Sequence, residues 1–166
     1  MEDFEFSWRM ERQAEITYRV FEKNASSAWL KHIFSFLANA ERRHYEMLQS
    51  MENGEAVRII DRSFLPIVSG SLIGRQPRNG QLKEVMGQVQ VYKAIRDREQ
   101  ESEAFYLEKA KETSKETHRG LFLALAEEEH VHFVLLKALI DLVDSSGAPL
   151  DTLEFANQGC QMEMDG

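Results

Sequence analysis

Cysteine is almost missing from this sequence. Cys160 is the only one in 166 residues, so no disulfide, CxxC redox pair or four-cysteine metal site can form within one chain. A reducing, cytoplasmic setting is therefore expected. Three prolines and nine glycines are too few for a loop-rich or many-turned β protein, which points to long helices. Long hydrophobic runs are missing too. The longest, about Leu121 to Ala126, falls far short of the ~18–20 residues of a membrane span. The opening Met-Glu-Asp-Phe-Glu is acidic where a secretory signal would be basic and then apolar. Basic charge is also scarce: 20 Lys and Arg against 28 Asp and Glu give a formal net charge of -8, which speaks against nucleic acid or an anionic membrane as partner. The length suits a single domain.

What is present is a duplication. Shifting the chain by 88 residues places Glu11 on Glu99, Glu15 on Glu103, Tyr18 on Tyr106, Lys23 on Lys111 and Phe34 on Phe122. The same shift places Leu37 on Leu125, Ala38 on Ala126, Glu41 on Glu129, His44 on His132 and Leu48 on Leu136, without a gap. Each half reads as two helices. Leu30, Phe34, Leu37, Glu41, His44, Leu48 and Met51 recur at steps of four and three, as do Phe122, Leu125, Glu129, His132, Leu136, Leu139 and Val143. Each set is one helical stripe, apolar except for a Glu and a His at its middle. Phe4, Trp8, Glu11, Ala14, Tyr18 and Phe21 form a comparable stripe, and so do Tyr92, Ile95, Glu99, Ser102 and Tyr106.

Turn signals at Asn24 to Ser27 and at Thr113 to Glu116, the latter spaced as a capping box, divide each half into a hairpin. Helices are predicted at about 4–24, 27–52, 88–112 and 115–144. The turns fall midway between Glu11 and Glu41 and midway between Glu99 and Glu129, so the paired glutamates stand at one height. Between the halves, about 53–81 suits a crossover along a four-helix bundle. Its apolar residues Ile59, Ile60, Phe64, Leu65, Ile67 and Val68 are expected to lie against the bundle or a second subunit. The domain is placed at 1–146 and a short tail at 147–166. A homodimer or higher homo-oligomer is expected.

A carboxylate in a bundle core is costly unless paired or bound to a cation. Four of them, Glu11, Glu41, Glu99 and Glu129, converge with His44 and His132. Two divalent cations would make the set neutral, and carboxylate with imidazole suits iron or manganese rather than structural zinc. Glu127 and His130 repeat the Glu-x-x-His spacing but lie ~200° around the helix, so they are read as solvent-facing. His32 and His118 fall outside the set. Tyr18 and Tyr106, two turns after a glutamate, are candidate catalytic residues expected to hydrogen-bond a carboxylate of the site.

The segments Glu11-Arg-Gln-Ala-x3-Tyr18, Ala40-Glu-Arg-Arg-His-Tyr-Glu-Met-Leu48, Glu101-Ser-Glu-Ala-Phe-Tyr-Leu-Glu-Lys-Ala110 and Leu125-Ala-Glu-Glu-Glu-His-Val-His-Phe-Val-Leu-Leu136 resemble the ferritin-like di-iron carboxylate proteins, rubrerythrin in particular. The resemblance implies a ferritin-like bundle in which Glu11, Glu41, His44, Glu99, Glu129 and His132 bind two iron ions, with Glu41 and Glu129 bridging. It implies reduction of hydrogen peroxide or dioxygen in oxidative-stress defence. Fe(II) oxidation for iron handling, or manganese catalase-like chemistry, are the alternatives. The two cysteine pairs of a rubredoxin domain are missing, so an external donor such as a rubredoxin would supply electrons. Ser102 stands where rubrerythrins carry an extra glutamate.

Overall fold

The computed structural model describes residues 4–55, 57 and 84–144. Four long helices run through them: α1 (Phe4–Asn24), α2 (Ala28–Glu52), α3 (Val89–Glu112) and α4 (Glu116–Asp144). There is no strand among the described residues. α1 packs on α2 and α3 on α4, and the two hairpins meet where α2 touches α4. This is an all-α, ferritin-like bundle built from two helical hairpins. No helix among the described residues is long and apolar enough to cross a membrane.

Local chemistry sets the helix ends. Ser27 takes an extended backbone, and its hydroxyl accepts from the Leu30 amide at 3.2 Å, capping α2. The Glu84 carboxylate accepts from the Ser26 and Ser27 amides at 2.6 and 3.1 Å, tying the start of the second half to the first turn. At the far end, Gly54 has φ of 73°, and the Gly54 and Glu55 amides reach back to the Met51 and Ser50 carbonyls. That closure needs a left-handed residue, which glycine supplies. The second turn departs from the expected capping box. Thr113 ends α3 with an extended backbone, and its hydroxyl accepts from the Lys115 amide at 3.3 Å. Glu116 opens α4 and binds Arg119 at 2.7 Å instead of reaching back. Arg119 also donates to the Thr113 and Ala110 carbonyls, so its guanidinium covers the end of α3.

The core falls into two apolar clusters. One gathers Leu30, Phe34, Leu37, Tyr92, Leu136 and Leu139 near the first turn. The other gathers Phe4, Leu48, Tyr106, Leu121, Phe122 and Leu125 at the opposite end. Between them lies a layer of buried charge. The expected crossover beyond residue 57, with Ile59, Ile60, Phe64, Leu65, Ile67 and Val68, lies outside the described residues, as does the tail at 147–166.

Candidate metal centre

The six residues singled out by the stripes meet in that layer. Glu11, Glu41, His44 and Glu129 bring one oxygen or nitrogen each within 4.8 Å of one another, and Glu41, Glu99, Glu129 and His132 do the same. The 88-residue shift exchanges the two groups, and Glu41 and Glu129 belong to both. α1 and α3 each supply one glutamate, while α2 and α4 each supply a Glu-x-x-His whose members share a helix face. The histidine rings stack at 5.6 Å. The tyrosines cross between hairpins: the Tyr18 hydroxyl donates to Glu99 and the Tyr106 hydroxyl to Glu11.

At the centre His44 Nδ1 is hydrogen-bonded to Glu11 Oε2 at 3.2 Å, while other atoms approach one another without bonding. Nδ1 of His132 lies 2.8 Å from Glu41 Oε1, and Nδ1 of His44 lies 2.9 Å from Glu129 Oε1. Yet Glu41 Oε1, Glu129 Oε1 and both ring nitrogens of His132 are buried without an aligned hydrogen bond. Buried polar atoms are otherwise satisfied as a rule. Buried ligand atoms left unbonded within two converging groups fit a pair of cations, and an all oxygen-and-nitrogen set suits iron or manganese.

Electrostatics follow from burial and crowding. Desolvation, then the Glu129 charge, pushes the Glu11 carboxyl well above the carboxylate range. Desolvation with the charges of Glu41 and Glu129 does the same to Glu99. Burial opposes ionisation of Glu41 and Glu129 as well, but the imidazoles outweigh it and hold both below their ordinary values. Burial pulls His44 and His132 toward neutrality, and the surrounding carboxylates overcome it, so both are held well above the ordinary imidazole value. Burial and neighbouring carboxylates raise both tyrosines, which keeps their hydroxyls protonated as donors.

Among the described residues, several outcomes refine the sequence reading. His130 is 55% exposed and bonds Glu103, and Glu127 is also on the exposed side. His32 is exposed, whereas His118 is buried against Phe4. Two buried carboxylates were not singled out by the stripe. Glu15 lies against Arg12 and Arg19. Glu128 stands 2.9 Å from His44 Nε2, the nitrogen turned away from the centre. Opposite the histidines, α1 and α3 stand apart around a cavity of about 370 Å³ whose walls include all four central glutamates, Tyr18 and Ser102.

No curated protein and no solved structure is significantly similar to the chain. The family comparison does give a match: residues 2–140 fit the Rubrerythrin family, a family of ferritin-like di-iron proteins. With that match covering most of the sequence, and with the bundle and its buried carboxylate–imidazole cluster in place, the chain belongs to the rubrerythrin family.

Proposed function

We propose that the chain is a di-iron oxidoreductase that reduces hydrogen peroxide or dioxygen, in defence against oxidative stress. The observation that carries this reading is the pair of interlocked groups sharing Glu41 and Glu129, open on its carboxylate side to a cavity. Glu11, Glu41, His44, Glu99, Glu129 and His132 would hold the metal. A ferrous pair held by these residues would supply two electrons to an oxidant.

The chain's own residues do the positioning. Tyr18 and Tyr106 fix Glu99 and Glu11 across the hairpins, so neither carboxylate swings freely at the cavity floor. The apolar clusters above and below close the layer at its two ends, so access to it is from the cavity side. Residues 1–166 hold only one cysteine and hence no cysteine pair for an electron-transfer iron, so reducing equivalents come from a donor outside these residues, such as a rubredoxin.

The test is anaerobic Fe(II) loading, metal analysis and stopped-flow absorbance after adding peroxide or dioxygen. Two irons per chain and one rapid oxidation, then a wait for added reductant, are expected. Glu41→Ala and Glu129→Ala should each disturb both ions. Binding near one ion, unchanged in both variants, would sink the reading. Many irons oxidised and retained per centre would favour iron handling. Sustained peroxide breakdown without a donor, best with manganese, would favour catalase-like chemistry.

A further inference from the structure

The cavity between α1 and α3 is larger than either oxidant requires. It measures about 370 Å³. A water-sized molecule takes roughly 30 Å³ of liquid volume, and an apolar cavity of about 150 Å³ already admits benzene. Even with two ions seated against the glutamates at about 30 Å³ each, room for a benzene-sized group remains. The volume also falls in the lower part of the range typical of small-molecule sites, roughly 300–1,000 Å³.

The lining sorts by depth. Glu11, Glu41, Glu99 and Glu129 form its polar floor, Phe6, Met10, Ala14, Ile95 and Phe105 give apolar wall, and the exposed Arg98 and Glu101 with Thr17 and Ser102 add a polar edge. No packing like that of α1 on α2 joins α1 to α3, and the space runs between them. Phe6 and Phe105 bridge the gap at one end, their ring centroids 5.3 Å apart. Phe6 is 54% exposed, an apolar side chain kept at the rim rather than in the core. A site for hydrogen peroxide alone would gain nothing from such a wall, because a small polar oxidant buries almost no apolar surface.

We infer that this cavity binds the apolar group of an organic hydroperoxide, R–O–O–H, with its peroxide end at the glutamates. The inference rests on the redox reading above and names its substrate class. In the reaction the O–O bond would break, and R–O–O–H, two electrons and two protons would give R–OH and water. The electrons would come from the two ferrous ions that the six ligand residues would hold, leaving them ferric.

Cumyl alcohol and cumene hydroperoxide separate the two ideas. In the metal-free chain, cumyl alcohol should shift amide resonances of Ala14, Thr17 and Ser102, with a dissociation constant of about 1 mM or tighter. In the iron-loaded chain, cumene hydroperoxide should oxidise the centre within about tenfold of the hydrogen peroxide rate. Thr17 lines the cavity and its hydroxyl bonds only to its own helix, at the Gln13 carbonyl. Thr17→Phe should therefore fill space without removing core packing. It should weaken alcohol binding and lower the ratio of cumene hydroperoxide to hydrogen peroxide rates about tenfold. Ala14→Leu, the milder change, should move both in the same direction. Rapid oxidation by hydrogen peroxide with no alcohol shifts and a hydroperoxide rate over ~100-fold slower overturns the inference and leaves the redox reading standing. Alcohol binding without oxidation by either peroxide overturns both, leaving only an apolar cavity. Alcohol binding unmoved by Thr17→Phe and Ala14→Leu would place the alcohol elsewhere and overturn the inference as well.

Discussion

His44 has a carboxylate on its outer nitrogen, and His132 does not. Glu128 stands 2.9 Å from His44 Nε2. The 88-residue shift places Ala40 where the matching carboxylate for His132 would be, and His132 Nε2 is buried without a partner. An acceptor on the far nitrogen orients an imidazole and strengthens it as a ligand, typically by 10–100-fold in metal affinity. The two halves of the centre should therefore bind metal unequally, the group with His44 filling first. Titrating the metal-free chain with Co(II), followed by visible absorbance, should show two steps, and Glu128→Ala should weaken the first by about tenfold or more. A Glu128→Ala titration superimposable on the parent would refute this. Glu128 was hard to single out from sequence because it sits one residue, ~100°, from the stripe, inside a run of three glutamates that resembles a solvated face. The departure at Ala40 was the available signal. His132 itself was legible, since the duplication pairs it with His44. His132→Ala should lose metal, while His130→Ala should keep it because His130 is 55% exposed and bonded to Glu103. Metal analysis of both variants checks this.

At the scale of helices, periodicity located all four to within a residue, because apolar positions at steps of three and four leave little choice of face. The ends were less legible where two donors compete for one carboxylate. Glu116 has the capping-box spacing from Thr113, but the Arg119 guanidinium one turn on takes it at 2.7 Å. A charged partner outweighs a backbone amide here. The first turn is different, because Ser27 caps α2 as its residue type suggests and Glu84 adds a contact from 57 residues away that no local pattern shows. Ser27→Ala should lower stability by about 1 kcal/mol in chemical denaturation. Burial alone would raise the Glu84 carboxyl, but the Ser26 and Ser27 amides outweigh that and hold it below its ordinary value. Its folded-state value is thus the lower one. The contribution is present above the ordinary carboxylate range, and it fades as pH falls through the folded value. Glu84→Gln should cost less than about 1 kcal/mol at neutral pH, and the difference from the parent should close as pH falls below the ordinary carboxylate range. A gap that persists in acid would show that shape, not charge, matters at this position.

For the whole molecule, the centre must be tolerable in a bundle core both with and without metal. Without metal, Glu11 and Glu99 are raised toward the protonated state, Glu41 and Glu129 stay ionised, and His44 and His132 carry the compensating charge. Glu128, ionised beside His44, is balanced by Arg43 at 3.9 Å, so the layer with this outer pair is then close to neutral. With two divalent cations, four ionised carboxylates and two neutral imidazoles, it is neutral again. Exchanging one state for the other releases the protons held on Glu11, Glu99, His44 and His132, about four for two ions. The sign follows directly: metal competes with protons, so affinity rises with pH and falls in acid. Because metal binds the folded chain, its stabilising effect on thermal unfolding should grow in the same direction. Adding Mn(II), which avoids oxidation, to weakly buffered metal-free chain with a pH indicator should release close to four protons per two ions at neutral pH. Glu11→Gln should lower that release by about one. Release near zero would mean that the central glutamates are already ionised and the histidines already neutral, and the charge balance that makes this core stable without metal would have to lie elsewhere.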